Sequence, residues 1–240
     1  MRAIRVWAAA MVIAFAQAGA ATPAQAEQAF SAYSEIKLPA TQNFPKWQQV
    51  REQLAAEAKE VEICLRAADC IATAAEIAGR LRTVTEESPL AQAEAVHLMM
   101  NARPYQEDRR QFGRNDVWQS AFAFWEQGGD CEDYAIAKYM VFSALGFSQA
   151  QLRLTVMTSR SRGEVHAVLL IEIDGAWYVS DNLKRELRRL DRYKGWNPVF
   201  SVSEAGAWRY ILRPSTEGEK LAITAAEPAA QPTPSRARLL

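Results

Sequence analysis

The sequence has few of the residues that most often carry enzymatic chemistry, with two histidines and three cysteines in 240 residues. It has no excess of either charge, because 28 basic residues balance 28 acidic ones. Nucleic-acid-binding proteins usually carry a basic excess, so nothing in the composition indicates that class. After the N-terminal segment no apolar run approaches the roughly 20 residues that cross a bilayer. The hydrophobic fraction of 49% is ordinary for a globular protein with a real core.

The first 26 residues have the layout of a secretory signal peptide. Arg2 and Arg5 precede an apolar run from Val6 to Ala16, and small residues follow as far as Ala26. The run is too short for a membrane span, which favours cleavage after Ala26 over an uncleaved anchor. The mature chain then carries 26 basic and 28 acidic residues, a net charge of −2. We expect a periplasmic or secreted protein.

Export places the three cysteines in an oxidising compartment, where an even set usually forms disulfides. Cys64 and Cys70 lie six residues apart and are close enough along the chain to bridge. Two buried thiols at these positions are the alternative. If the bridge forms, Cys131 is the free thiol.

The N-terminal third predicts a helical lobe over residues 27–100. Pro39 and Pro45 argue against regular structure before residue 45. Three helices are expected, one beginning after Pro45 with a buried stripe, one over about 71–81, and one from a Ser88 N-cap to about residue 100. The stripe consists of Trp47, Val50, Leu54 and Val61. The polar stretch 101–119 contains Pro104 and Gly113 and predicts a long loop.

The second part, residues 101–213, predicts a catalytic core. Gly128 and Gly129 break the chain before a helix that begins at Cys131, has no polar face and ends before Gly146. Apolar residues then recur with a period of two in residues 151–157, 165–173 and 176–181, which predicts three strands, and a further strand is expected near 208–212. A Pro/Ala/Ser/Thr-rich tail over 214–240 is predicted to be disordered.

The dipeptide Asp174-Gly175 predicts a two-residue hairpin, which sets the strand register. Counting back from this turn puts His166 and Asp181 on the same face of the sheet as diagonal neighbours, about 7–8 Å apart at the backbone. The rest of that face is apolar, and we expect it to pack against the helix that follows Cys131. A slip of one residue would separate His166 from Asp181. His97, the other histidine, is interpreted as a packed helix residue.

Cys131 lies among three carboxylic acids, Asp130, Glu132 and Asp133, although negative charge raises the pKa of a thiol. A helix N-terminus and a nearby protonated histidine both favour the thiolate. The backbone N–H of Cys131 has no partner within the helix and is available to an oxyanion. Together these features predict a Cys-His-Asp site. Taken singly, Asp181 would be read as the end of a strand and His166 as the cap of one.

The segments GGDCEDYAIAKY and HAVLLIEIDGAWYVSDNL, with NDVWQS upstream, resemble the bacterial transglutaminase-like cysteine proteinases. The resemblance covers about 101–183 well and the helical lobe loosely. It implies a papain-like or transglutaminase-like α+β fold, with an N-terminal helical lobe and a central buried helix on an antiparallel sheet. It also implies peptide-bond hydrolysis through an acyl-thioester, with Cys131 as nucleophile, His166 as general base and then acid, and Asp181 as the orienting residue.

One branch of the family is known to bind calcium through the acids beside the catalytic cysteine, which correspond to Asp130 and Glu132; Asp116 is a plausible further ligand. Calcium takes six to eight oxygen ligands, although acids early in a helix are also favoured without a metal. Members of that branch cleave large surface adhesins near paired alanines, and an inner-membrane receptor for cyclic di-GMP sequesters them. Two other functions remain open, a transglutaminase-type amide acyl transferase and a non-catalytic binding module.

Overall fold

The computed structural model of the protein describes residues 29–39, 44–67 and 70–214. The predicted signal peptide and all but the first residue of the predicted tail lie outside these ranges. The described elements are β1 (Tyr33–Leu38), α1 (Pro45–Arg66), α2 (Ala72–Leu81), α3 (Pro89–Asn101), α4 (Asp108–Phe112), α5 (Ala121–Gln127), α6 (Cys131–Ala144), β2 (Leu152–Ser159), β3 (Val165–Ile173), β4 (Ala176–Ser180), β5 (Arg188–Arg189), β6 (Trp196–Ser203) and β7 (Gly206–Leu212). None of the helices in these ranges has both the length and the apolarity that a membrane crossing requires.

The helices of the first part agree with the sequence pattern. All four residues of the predicted stripe on α1 are buried, from Trp47 to Val61. The side chain of Ser88 accepts a hydrogen bond from the Ala91 N–H at 3.3 Å and so caps α3 as predicted. Cys64 and Cys70 are joined in a disulfide. Among the described cysteines this leaves Cys131 as the free thiol.

The strands form one antiparallel sheet in the order β1-β7-β6-β2-β3-β4-β5. The predicted hairpin is confirmed, because Ile173 pairs with Ala176 and Leu170 with Val179. Asp174 and Gly175 have φ values of 51° and 79°, the left-handed backbone that such a two-residue turn requires.

The structure corrects the expectation of irregular chain before residue 45 and of one uninterrupted loop over 101–119. Strand β1 pairs with β7 at the edge of the sheet, and Pro39 follows the strand, so it removes no ladder hydrogen bond. Helix α4 interrupts the loop, and α5 precedes the glycine pair. Strand β6 was not predicted from the sequence, because a proline such as Pro198 is unfavourable inside a central strand. The structure tolerates Pro198 because it lies where the pairing of β6 with β2 changes register.

Helix α6 lies on the sheet through the face of β3 that carries Leu169, Ile171 and Ile173. The opposite face of the hairpin, which includes Val168 and Leu170, packs with other residues in a second cluster, together with Leu190 and Tyr193. The prediction that the His166 face of the hairpin covers α6 is therefore wrong. The reason is that β3 is apolar on both faces, so alternation alone could not show which face meets the helix.

Candidate active site

The chain before α6 is held in a conformation that depends on two glycines. Gly128 has a φ of 78°, and a Cβ there would lie 2.1 Å from the Pro104 carbonyl oxygen. A Cβ on Gly129 would lie 2.3 Å from Asp133 Oδ2. The close approach to Pro104 and Asp133 is possible only without side chains at these positions. Asp130 follows as the N-cap residue with extended backbone, outside the helix proper.

Asp133, which had no assigned role in the sequence, fastens this turn to the preceding loop. Its fully buried carboxylate accepts hydrogen bonds from the backbone N–H of Gln119 at 2.9 Å, from Gln119 Nε2 at 2.8 Å and from the Asp130 N–H at 3.2 Å. Gln119 Nε2 also donates to the Gly128 carbonyl at 3.2 Å. Asp133 and Gln119 thus fix the first turn of α6, where Cys131 begins the helix.

The Cys131 thiol is half-buried and donates a hydrogen bond to Glu132 Oε2 at 3.2 Å. Burial, followed by the charge of Glu132, raises the pKa of the Cys131 thiol, and a backbone hydrogen bond from Ala167 opposes part of that rise. Ala167, the residue after His166 on β3, lines the same cavity as Cys131. In the described ranges, no hydrogen bond joins the thiol directly to His166.

His166 and Asp181 meet as the register predicted. His166 Nε2 lies 2.7 Å from Asp181 Oδ1. The Leu183 N–H donates to the same oxygen at 2.9 Å, and the Tyr193 hydroxyl donates to Oδ2 at 2.8 Å. Burial raises the pKa of the Asp181 carboxyl, but the hydrogen bond and charge of His166 and the other two donors outweigh it and leave the pKa lowered.

An ionised Asp181 accepts hydrogen bonds only, so the proton of a neutral His166 lies on Nε2. The Nδ1 nitrogen is then left as the basic atom. The ring of Trp196 packs on the imidazole with centroids 5.1 Å apart and planes tilted by 35°. Tyr193 and Trp196 carried no recognisable signal in the sequence, because their contacts depend on how the chain returns after β5.

His97 lies outside this pair, as a packed helix residue. Its Nδ1 lies 2.9 Å from Ser180 Oγ and its Nε2 lies 3.1 Å from the Lys184 carbonyl oxygen. Burial lowers the pKa of His97 to about 4, so it is neutral at physiological pH. Asn101 donates to the Asp181 carbonyl at 3.1 Å. These contacts hold the segment that carries Asp181 against α3.

The acids around the thiol form two overlapping groups. Ligand atoms of Asp130, Cys131 and Glu132 lie within 4.8 Å of one another, as do those of Asp108, Asp130 and Asp133. Among the described residues, Asp108 Oδ1 and Asp130 Oδ1 are buried without a hydrogen-bond partner. Burial, followed by Glu132, raises the pKa of Asp130. Buried carboxylate oxygens that lack a donor fit an oxygen-binding cation such as Ca²⁺.

Asp116 does not belong to either group. It forms an ion pair with Lys46, whose Nζ also donates to the Asp116 carbonyl at 2.8 Å, and its φ of 62° is left-handed. Asp108, the first residue of α4, belongs to the group with Asp130 and Asp133. The sequence had no signal for Asp108, because 21 residues of loop and helix lie between it and Asp130.

The family described as bacterial transglutaminase-like cysteine proteinase BTLCP matches residues 33–215. Calcium-bound LapG of Legionella pneumophila is similar in structure, with 24% identity and a TM-score of 0.51 over 67% of this chain and 87% of that chain. EGTA-treated LapG gives 24% identity and a TM-score of 0.52 over 63% and 84%. At this identity the likeness shows the fold alone. No curated protein matched the sequence.

Proposed function

Because the chain belongs to the bacterial transglutaminase-like cysteine proteinases and is a cysteine peptidase of that α+β fold, we propose that it cleaves peptide bonds through Cys131, His166 and Asp181. The observation that carries this assignment is the buried His166–Asp181 hydrogen bond of 2.7 Å, at the residue next to Ala167, which lines the same cavity as Cys131. A base oriented by a carboxylate beside a nucleophile is the arrangement that covalent catalysis needs.

In the first half of the reaction, His166 Nδ1 takes the proton of the Cys131 thiol, and the sulfur attacks the carbonyl carbon of the scissile bond. The C–N bond then breaks, and His166 returns the proton to the departing amine. An acyl-thioester remains on Cys131. In the second half, His166 takes a proton from water, the resulting hydroxide attacks the thioester carbonyl, and the C–S bond breaks to regenerate the thiol after proton return.

Two features of α6 support the charged states in this sequence. Cys131 is the first helical residue, so the positive end of the helix dipole favours its thiolate. Its backbone N–H has no acceptor within the helix and in this proposal donates to the oxyanion that forms at the attacked carbonyl. Asp181 keeps Nε2 of His166 protonated and so leaves Nδ1 to exchange the proton.

We further propose that Asp130, Glu132 and Asp108 hold a calcium ion. The support is that ligand atoms of Asp130 lie within 4.8 Å of those of Glu132 in one group and of Asp108 in the other, and that two carboxylate oxygens lack donors among the described residues. A bound ion supplies positive charge that offsets the carboxylates beside the thiol. Asp108 replaces Asp116 as our third ligand, because Asp116 is paired with Lys46.

The export, substrate and regulation of the protein are proposals carried by the signal-peptide pattern and the resemblance. We expect a periplasmic or secreted protease that cleaves a large surface adhesin and is sequestered by an inner-membrane cyclic di-GMP receptor. Surface and secreted proteins of a deletion strain should then contain an uncut protein that the parent strain contains in cleaved form.

The decisive experiment adds purified enzyme to that uncut protein. Wild type should restore the cleavage, and Cys131→Ala, with an unchanged melting temperature, should not. Leu98→Ala, an exposed position on α3, is the matched control and should cut like wild type. Cleavage by Cys131→Ala would refute the assignment. The mass of the new C-terminus shows whether water or an amine accepted the acyl group.

A further inference from the structure

An apolar cavity of about 440 Å³ opens beside the nucleophile, and Cys131 and Glu132 form part of its lining. Its other walls come from the start of α1, from the loop before α5 and from three strands of the sheet; they include Trp47, Trp118, Val156, Ala167, Val199 and Phe200. Lys46 and Asp116, which pair with each other, also line it. No part of the proposed reaction uses this space.

The sheet builds the cavity wall from a row of side chains across β6, β2 and β3. Val156 is the cross-strand partner of both Phe200 and Ala167, so the three occupy one face of the sheet. Ala167 and Cys131 both line the cavity. The row therefore leads directly from the open cavity to the reacting sulfur.

A bulge in β6 adds an apolar residue to this wall. The pairing of β6 with β2 changes register between Val156 and Met157, whose partners are Phe200 and Pro198, so Val199 is the extra residue. By simple alternation Val199 and Phe200 would face opposite sides, but both line the cavity. Bulges re-aim side chains in this way and are frequent beside active sites. Val199 is 39% exposed and Val165, on the same cavity, is 69% exposed, which leaves an apolar rim open to solvent.

We propose that this cavity is a substrate subsite that binds a bulky apolar side chain, of the leucine, methionine or phenylalanine class, within about two residues of the cleaved bond. The inference rests on the proposed function. The limit of two residues from the cleaved bond follows because Cys131, which attacks that bond, itself lines the cavity. An extended substrate chain advances only about 3.3 Å per residue, so a side chain in the cavity belongs to a residue near the bond. Cavities of roughly 300–1,000 Å³ hold groups of many atoms. The space is therefore larger than the methyl group of an alanine needs, in contrast to the paired alanines that the resemblance suggests.

The test is cleavage of a peptide library randomised at the three positions on either side of one cut. Wild type should prefer bulky apolar residues over alanine by about tenfold or more at one of those positions, since pockets discriminate by that much per methylene. Val199→Trp should narrow the cavity and reduce the preference at that position, while peptides with alanine there are still cut. Ile36→Trp, at a strand residue 43% exposed on β1, is the matched control and should keep the wild-type preference.

A binding measurement separates this inference from the proposed function. In Cys131→Ala, fluorescence of Trp47 and Trp118 should change when a peptide with a bulky apolar residue binds and should change less with its alanine analogue. Cleavage that needs Cys131 but shows no preference for bulk would overturn the subsite and leave the protease assignment standing. Peptides that bind through bulk but are never cut by wild type would refute the substrate role of the cavity and the peptidase assignment together.

Discussion

Removal of the Tyr193 hydroxyl tests whether the environment of Asp181, and not its presence alone, supports catalysis. The hydroxyl donates to Asp181 Oδ2 at 2.8 Å, while His166 uses Oδ1. In Tyr193→Phe the ring remains and the carboxylate loses one of its three donors. We expect both the stability of the fold and the turnover to fall, because Asp181 is buried and its carboxylate loses a hydrogen bond that water cannot replace there.

The size of the effect follows from the kind of bond. A hydrogen bond to a charged group contributes about 1.5–3 kcal/mol to folding. If the transition state feels all of it, kcat/KM falls by about 10- to 100-fold at roughly 1.4 kcal/mol per tenfold. The hydroxyl is one of the groups that lower the pKa of Asp181, so its stabilising contribution is present above the ordinary aspartate pKa of 3.8 and is lost as the pH falls through the lowered value in the folded state.

The assays are urea unfolding at several pH values and kcat/KM on a cleaved peptide. Tyr33→Phe is the matched control, since Tyr33 and Tyr193 are 7% and 9% exposed and the Tyr33 hydroxyl donates to the neutral Asn197 at 2.9 Å. It should cost about 0.5–1.5 kcal/mol and leave kcat/KM unchanged. Equal losses of activity in the two variants, or a Tyr193→Phe destabilisation that persists below the acid transition, would refute the reasoning.

Three further predictions concern the same site. Asp181→Asn should lower kcat by about 10²- to 10⁴-fold through the wrong imidazole tautomer, as measured by steady-state kinetics, and an unchanged rate would show that another group orients His166. Calcium should raise the melting temperature, and a chelator should reverse that rise. In a calcium titration, Asp108→Asn should weaken the affinity at least about tenfold, whereas Asp116→Asn should not. Equal effects of the two substitutions would show that the ion binds elsewhere. In urea unfolding, Gly129→Ala should destabilise the fold by more than about 1 kcal/mol, because its Cβ would lie 2.3 Å from Asp133 Oδ2. The control Gly79→Ala, whose Cβ would have nothing within 4 Å, should stabilise the fold by about 0.5–1 kcal/mol. An unchanged stability of Gly129→Ala would show that the turn can adjust to a side chain.

Local signals in the sequence predicted the elements that depend on neighbouring residues. The stripe on α1, the Ser88 cap and the Asp174-Gly175 turn each follow from short-range sterics and hydrogen bonding, and the structure has all three. Strands β1 and β6 were not predicted, because each pairs with a strand that lies far away in the sequence. Strand β1 pairs with β7, and one edge of β6 pairs with β2. A proline at Pro198 then weighs against a strand that the tertiary pairing tolerates.

The same division holds at the candidate site. The sequence by itself determined that His166 and Asp181 share a face, because a two-residue turn leaves only one register. It also determined that a helix begins at Cys131, since two glycines precede an apolar run. Only the tertiary structure decided that α6 lies on the other face of β3, that Asp108 and Gln119 reach the first turn of α6, and that Tyr193 reaches Asp181. Packing and long-range hydrogen bonds select among faces that are equally apolar, and no local pattern encodes that selection.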